Sequence, residues 1–152
     1  MFYLPQLLRN AARLCATITL VLVSACAAAP TQEISDARRA WQATQSVGAE
    51  HLVAEQLVTR AKARIDLAEQ AINTGAYDHA RQEALAAKRE LLAVHDLVIA
   101  LRQAARLAER LPADSARTAD VMSMLRAAQS AALNGDTDTA MQLAQRILKI
   151  EP

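Results

Sequence analysis

The sequence predicts an all-α fold: an elongated antiparallel bundle of two helical hairpins plus a short N-terminal helix. Apolar residues make up 53% of the chain and alanine is the commonest of them, whereas 3% of residues are aromatic and three are glycine. After residue 30, apolar positions recur every three or four residues, the spacing of one helix face. This composition suits closely packed helices and offers little for a sheet, whose strands favour β-branched and aromatic side chains.

The first 25 residues have the three parts of a secretory signal peptide: a positive start, a short apolar centre and small residues at the cut. Arg9 and Arg13 precede the apolar centre 14–23, and no acidic residue occurs before Glu33. An uncleaved membrane anchor is the alternative. Its apolar stretch, 14–29, has 16 residues, against the ~20 needed to span hydrocarbon.

The signal ends in a sequence suited to lipid attachment at Cys26. Three residues stand before that cysteine at the positions a signal peptidase recognises: Val23, Ser24 and Ala25. The stretch resembles the lipobox of bacterial lipoproteins, which implies cleavage before Cys26 and acylation of its thiol, with 26–31 as a lipidated tether. Several acyl chains together anchor a protein stably. By the same resemblance, Ala27 in place of aspartate implies sorting to the periplasmic face of the outer membrane.

Cleavage would leave residues 26–152, with 32–152 predicted as a single helical domain. Cys15 would leave with the signal and Cys26 would carry lipid, so no thiol would remain for a disulfide, a zinc site or a nucleophile. Loss of Arg9 and Arg13 would leave 15 basic against 16 acidic residues. A net charge near −1 gives no electrostatic case for binding nucleic acid.

Two helices are predicted before the first internal corner, at about Thr31–Ser46 and about Glu50–Thr74, with Gly75 ending the second. Their apolar or small positions lie three and four residues apart, so one face of each is expected to be buried. In the first helix these are Ile34, Ala37, Trp41, Thr44 and Gly48. In the second they are Ala54, Val58, Ala61, Ile65, Ala68 and Ile72.

The third predicted helix is the longest, about Tyr77–Leu111, and at 1.5 Å per residue it would extend about 50 Å. Its apolar spacing alternates four and three, as in coiled-coil packing, and Pro112 stops it. The stretch Leu91–Leu101 is apolar except at His95 and Asp96, so we expect it to be covered from more than one side, either by two other helices or by a partner molecule. The predicted buried positions are Ala80, Ala84, Ala87, Leu91, Val94, Val98, Leu101, Ala105 and Ala108.

A fourth helix, about Ser115–Asn134, and a fifth, about Thr137–Ile150, complete the prediction. Gly135 ends one in a left-handed cap, and Asp136 caps the start of the next. The positions expected to face inward are Val121, Met124, Leu125, Ala128 and Ala132, then Ala140, Leu143, Ala144 and Ile147.

The two corners belong to an internal repeat with an offset of 60 residues. Residues 68–84 align with 128–144, and seven of the 17 positions are identical, including Gly75 with Gly135 and the aspartates three residues later. Both segments read as helix–glycine–helix. The absence of a 34-residue period argues against tetratricopeptide-like stacking. One cap differs, because Ala76 stands where the second corner has Asp136.

Residues 30 to about 100 resemble a family of α-helical bacterial outer-membrane lipoproteins known as a domain of unknown function. The resemblance lies in the segment PTQEISDARRA, in Gly48-Ala49, in alanines at helical spacing, and in Gly75-x-Tyr77-x-x-Ala80-Arg81. It implies an envelope location and a helical fold, and no chemistry. Relatives can be fused to an OmpA-like domain. This chain shows no counterpart of that domain, so its binding activity is not carried over.

Two histidine–glutamate pairs have a spacing that could place metal-ligating side chains together. His51 with Glu55, and His79 with Glu83, are four residues apart and predicted to share a helix face. A di-metal bundle needs Glu-x-x-His pairs on two helices, and the sequence has none, so no metal or cofactor is predicted. Salt pairing and capping account for two further acid pairs: Asp66 with Glu69, and Asp136 with Asp138.

Two polar features of the third helix keep two interpretations each. His95-Asp96 is either a solvent-facing strip or a polar, pH-sensitive contact. Arg102, Arg106 and Arg110 make the helix end basic, which the helix dipole favours. They could also form a docking stripe for an acidic partner or lipid headgroups.

The function predicted from these observations is a non-enzymatic interaction or scaffold module of the cell envelope, with no catalytic residue. Its contacts would be the membrane, through Cys26, and an envelope protein partner or a second copy. Two alternatives remain: a periplasmic carrier of lipid or another hydrophobic small molecule, and an accessory subunit anchored in the inner membrane.

Overall fold

The structure is a computed structural model that describes residues 28–112 and 116–150. These residues form five α-helices and one 3₁₀ turn, with no strand among them, so the predicted all-α class is confirmed. The helices are α1 Thr31–Ser46, α2 Glu55–Asn73, α3 Tyr77–Arg110, α4 Ala116–Leu133 and α5 Thr137–Leu148, and the 3₁₀ turn is Ala49–His51.

Helix α3 is the central element, since it contacts each of the other four helices. Its 34 residues correspond to a length of about 51 Å. The α1 residues Glu33 and Asp36 pair with Arg81 and Lys88 in ascending order, so α1 runs parallel to α3. Helix α2 runs the opposite way because it is joined to α3 by the short corner at Gly75.

Alanine fills much of the interface between α3 and its neighbours. The N-terminal half of α3 buries Ala80, Ala84 and Ala87 completely. Small side chains let helix axes approach to the short end of the usual 8–10 Å range. The larger fully buried side chains there, Ile65 and Leu91, fill what the alanines leave open.

The middle of α3 is where its neighbours change, from α1 and α2 to α4 and α5. Here Leu97, Val98, Ala100 and Leu101 are all buried, so more than one side is covered, as the composition of this stretch predicts. Past this point the buried face is rotated, because α4 and α5 pack on a different side of α3. Ala104 is therefore buried, and Ala105, which was expected inside, is half-buried.

Helix α2 begins five residues later than predicted, at Glu55 instead of Glu50. Residues 49–54 contribute to the C-terminal core instead: Ala49 and Val53 are buried in that core. The Ala54 backbone N–H donates to the Ala132 carbonyl, 3.0 Å away at the end of α4. Tertiary contacts therefore determine the conformation of this segment and override its helix propensity.

Small shifts separate the predicted inner faces of the other helices from the observed ones. In α1, Ala40 is buried and Trp41 is half-buried. In α2, Ala71 takes the buried place predicted for Ile72. Trp41 and Ile72 lie at the edges of their buried faces, where a large side chain still covers the core from the rim. Gly48, expected on the inner face of α1, instead ends that helix in the left-handed region at φ +57°.

The two glycine corners have the same backbone hydrogen bonds. At the first, Gly75 N–H donates to Ile72 and Ala76 N–H to Ala71. Sixty residues later, Gly135 and Asp136 repeat both bonds, to Ala132 and Ala131. This pair of bonds is the Schellman ending of a helix, and both glycines have the positive φ that it requires, +76° and +83°.

The caps that follow differ as the sequence predicts. The Asp136 carboxylate accepts a hydrogen bond from the Thr139 backbone N–H at 3.1 Å. Hydrogen bonds from the Thr139 side chain and then from this backbone N–H lower the pKa of Asp136. At the other corner Ala76 stands at the N-cap of α3 without a side-chain acceptor. One helix start is therefore satisfied by its own side chain, and the equivalent one is not.

We predict that Ala76→Asp stabilises the fold by about 0.5–1 kcal/mol, because it supplies the missing N-cap acceptor. The expected result is a higher melting temperature at pH 7 in thermal unfolding followed by circular dichroism. Ala76→Asn should give a similar gain, and Asp136→Ala should lower the melting temperature. An unchanged or lower value for both Ala76 variants would contradict the equivalence of the corners.

Candidate functional site

The predicted lipidation site lies outside the described residues, as do Val23, Ser24 and Ala25. The first described part of the chain is held to the bundle. Pro30 is fully buried, and the Ala28 carbonyl accepts a hydrogen bond from Arg81 Nη2 at 3.4 Å.

Ion pairs join α2 to α3 beside the alanine contacts. The Arg64 guanidinium lies 2.7 Å from Glu83 and 3.1 Å from Glu90, and Arg60 lies 3.2 Å from Glu90. The hydrogen bond with Glu83 and the charge of Glu90 raise the pKa of Arg64. The pairing agrees with the antiparallel direction of the two helices: the later residue of α2, Arg64, pairs with the earlier glutamate of α3, Glu83. The earlier residue, Arg60, pairs with the later one, Glu90.

A second group of ion pairs joins α1 to α3. Arg81 lies 3.0 Å from Glu33, and Lys88 lies 2.8 Å from Asp36. Hydrogen bonds from Lys88 and Arg39 lower the pKa of Asp36. The pKa of Glu33 is also lowered, first by its backbone hydrogen bond and then by Arg81. The charged residues of this half therefore connect α3 to both α1 and α2.

The histidine pairs do not form the predicted arrangement at His51. That residue is exposed in the 3₁₀ turn and lies 3.6 Å from Glu50, whereas Glu55 starts α2. The prediction that His51 and Glu55 share one helix face is therefore wrong, because the chain bends between them. His79 and Glu83 are both in α3, and Glu83 binds Arg64. Within 28–112 and 116–150, no group of three metal-ligating side chains occurs.

The two acidic pairs have the structural roles predicted for them. Asp66 pairs with Lys62 one turn earlier in α2, and Glu69 pairs with Arg38 of α1 at 2.8 Å. Asp136 is the cap already described. These carboxylates hold helices in place and are not gathered at one point.

A surface groove of about 440 Å³ lies where the end of α1 meets the start of α2. Trp41 lines it, with the Lys62 ammonium 5.8 Å from the ring centroid, close enough for a cation–π interaction. Glu55 and Thr59 add polar groups to the same groove.

His95-Asp96 lies on the outer side of α3. The Asp96 side chain is 70% exposed, and its carboxylate is 3.4 Å from His95 Nδ1, whose side chain is 29% exposed. This geometry fits the solvent-facing strip better than a buried polar contact.

The basic end of α3 is exposed at Arg102, Arg106 and Arg110. Arg102 lies beside Gly48, the residue that ends α1: a Cβ added at Gly48 would be 3.4 Å from Arg102 Nη2. Arg106 and Arg110 have no ion-pair partner within the described part of the chain. The basic end therefore combines one arginine used in packing with two that face outward.

No described helix is long and apolar enough to cross a bilayer. In comparisons with known proteins, no family model matches the chain, and no curated protein or solved structure shows significant similarity to it. The lipoprotein family resemblance seen in residues 30–100 thus remains a prediction.

We predict that Arg64→Met lowers the free energy of unfolding by about 1 kcal/mol, because it leaves Glu83 without its cation. The figure is modest since the Arg64 side chain is 33% exposed. Thermal unfolding in low salt and in 1 M NaCl provides the measurement, and the loss should shrink in high salt. Arg126→Met, on the exposed side of α4, is the control. Equal losses in both variants would count against the ion-pair network.

A pH dependence is expected at Asp36. A carboxyl whose pKa is lowered on folding contributes stability above its unfolded pKa, 3.8, and loses it as the pH falls through the folded value. Asp36→Asn should therefore reduce the melting temperature at pH 7, and its difference from the unsubstituted chain should shrink towards pH 2. Asp120→Asn, at an exposed position in α4, should show neither effect. A difference that stays constant with pH would refute the assignment.

Proposed function

We propose that the protein is a lipoprotein of the outer membrane, facing the periplasm, and that it works as a non-enzymatic helical interaction module. The observation that carries the proposal is the lipobox-like sequence ending at Cys26. Stable anchoring would require several acyl chains on Cys26.

The proposed body is an elongated antiparallel bundle of two hairpins plus α1. Support comes from the long central α3, the matched corners at Gly75 and Gly135, and the ion pairs that lock α1 and α2 to α3. Such a body presents long helix faces, which suits contact with another helical protein or a second copy.

The carrier alternative receives less support from the described residues. An acyl chain needs an apolar cavity, whereas the half of the core around α1 and α2 is closely packed alanine. The Trp41 groove is open to solvent and bordered by Lys62 and Glu55. An accessory subunit of the inner membrane differs only in sorting, for which Ala27 favours the outer membrane.

The anchoring part of the proposal predicts that Cys26→Ser abolishes incorporation of radiolabelled palmitate and releases the protein from membranes. The measurement is labelling in a bacterial host, followed by separation of inner and outer membranes on a density gradient. The unsubstituted chain should carry label and sediment with outer membranes. Cys15→Ser should behave like the unsubstituted chain, because Cys15 lies in the segment to be removed.

Label that persists in Cys26→Ser, or that is absent from the unsubstituted chain, would overturn the lipid anchor. Labelled protein in the inner membrane would support the anchor and contradict the proposed sorting.

A further inference from the structure

One face of α3 is left uncovered by the other helices, and residues spaced seven apart lie along it. We call this set the α3 stripe: Asp78, Leu85, Leu92, Ile99 and Arg106. A spacing of seven keeps side chains on one side of a helix. Leu85 is 41% and Leu92 is 42% exposed, and Ile99 is half-buried. Three large aliphatic side chains thus meet solvent in one line at the middle of the molecule.

Charges on the same face lack strong partners. Arg89 and Arg106 are exposed and have no ion pair within 28–112 and 116–150. The Asp78 side chain is 90% exposed, and its contact with Arg81 is long, at 3.5 Å. Arg81 lies closer to Glu33, at 3.0 Å. This face contrasts with the inner sides of α1 and α2, whose charges are bound across helices.

The stripe is complementary to itself when a second copy runs antiparallel with Leu92 at the two-fold axis. Leu92 then faces Leu92 of the other copy, and Leu85 faces Ile99. Asp78 comes opposite Arg106, and Arg89 comes within one residue of the position opposite Asp96, each pair occurring twice by symmetry. In a parallel pair Asp78, Arg89 and Arg106 would each meet their own kind, which repels. Charge therefore selects the antiparallel arrangement.

We propose that the protein forms an antiparallel homodimer through the α3 stripe, with a second copy of this chain as the partner. The contact is isologous, since the same patch serves both copies. It specifies the partner of the proposed interaction module, but it does not require the lipid.

The size of the stripe sets the expected strength. From residue 78 to 106 it extends about 42 Å, and a width of about 10 Å gives a footprint near 400 Å² per copy. A standard interface buries about 800 Å² per partner, so the stripe is about half that size and the free chains should associate weakly. Confinement to one membrane would raise the local concentration and favour the dimer.

The test is disulfide crosslinking of the full chain in cells under mild oxidation. Leu92→Cys should give a covalent dimer, because residue 92 meets itself at the axis. Leu85→Cys and Ile99→Cys should each remain monomeric when expressed alone, and the two expressed together should crosslink. The unsubstituted chain measures any background from Cys15 or Cys26. A monomeric Leu92→Cys protein, or a dimer from Leu85→Cys alone, would overturn the proposal.

A charge exchange gives a second readout in the Leu92→Cys background. Arg89→Asp and Asp96→Arg should each reduce the crosslinked fraction about five- to tenfold, because each creates two like-charge contacts. The double variant should restore it. Arg126→Asp, on α4, should leave the yield unchanged, and circular dichroism checks that every variant is folded. A double variant no better than the single ones would contradict the antiparallel register.

The two proposals fail separately. Loss of palmitate labelling with retained Leu92→Cys dimers would refute the anchor and support the dimer. Labelling with no crosslink would support the anchor and refute the dimer.

Discussion

The structure depends on the close packing of small side chains against one long helix. Because α3 presents Ala80, Ala84 and Ala87 to α1 and α2, those helices can approach closely, and dispersion contacts replace the bulky core of most domains. A single larger residue at one of these positions would push two helices apart. The same helix packs against α4 and α5 on a rotated face. A distortion of α3 would therefore displace each of the other helices.

Alanine contacts stabilise helix packing but do little to specify the direction and register of the helices. The polar residues between the helices add this specificity. Arg64 between Glu83 and Glu90, and Lys88 beside Asp36, fix the direction and register of α1 and α2. The buried Thr44 hydroxyl donates a hydrogen bond to the Leu91 carbonyl of α3 at 3.1 Å. The charges used in this way lie between helices, so the outer face of α3 keeps Arg89 and Arg106 available for a partner.

Much of the fold follows from local sequence signals. The composition and the spacing of three and four predict five helices, and α1 has its predicted bounds. The glycine corners are also local, because only a residue that tolerates positive φ can end a helix in this way. The lipobox-like segment through Cys26 is the clearest functional signal, and it too is read from adjacent residues.

Other features of the fold depend on contacts between residues that are far apart in the sequence. Residues 50–54 have helical spacing, yet they leave the helix to bury Val53 and to bind Ala132. The periodicity of α3 does not show where its packing partners change. It therefore predicts Ala105 as buried, whereas the structure buries Ala104. The α3 stripe required the same information: Leu85 and Leu92 lie outside the predicted buried positions, but only the placement of the other four helices shows that none of them covers these leucines.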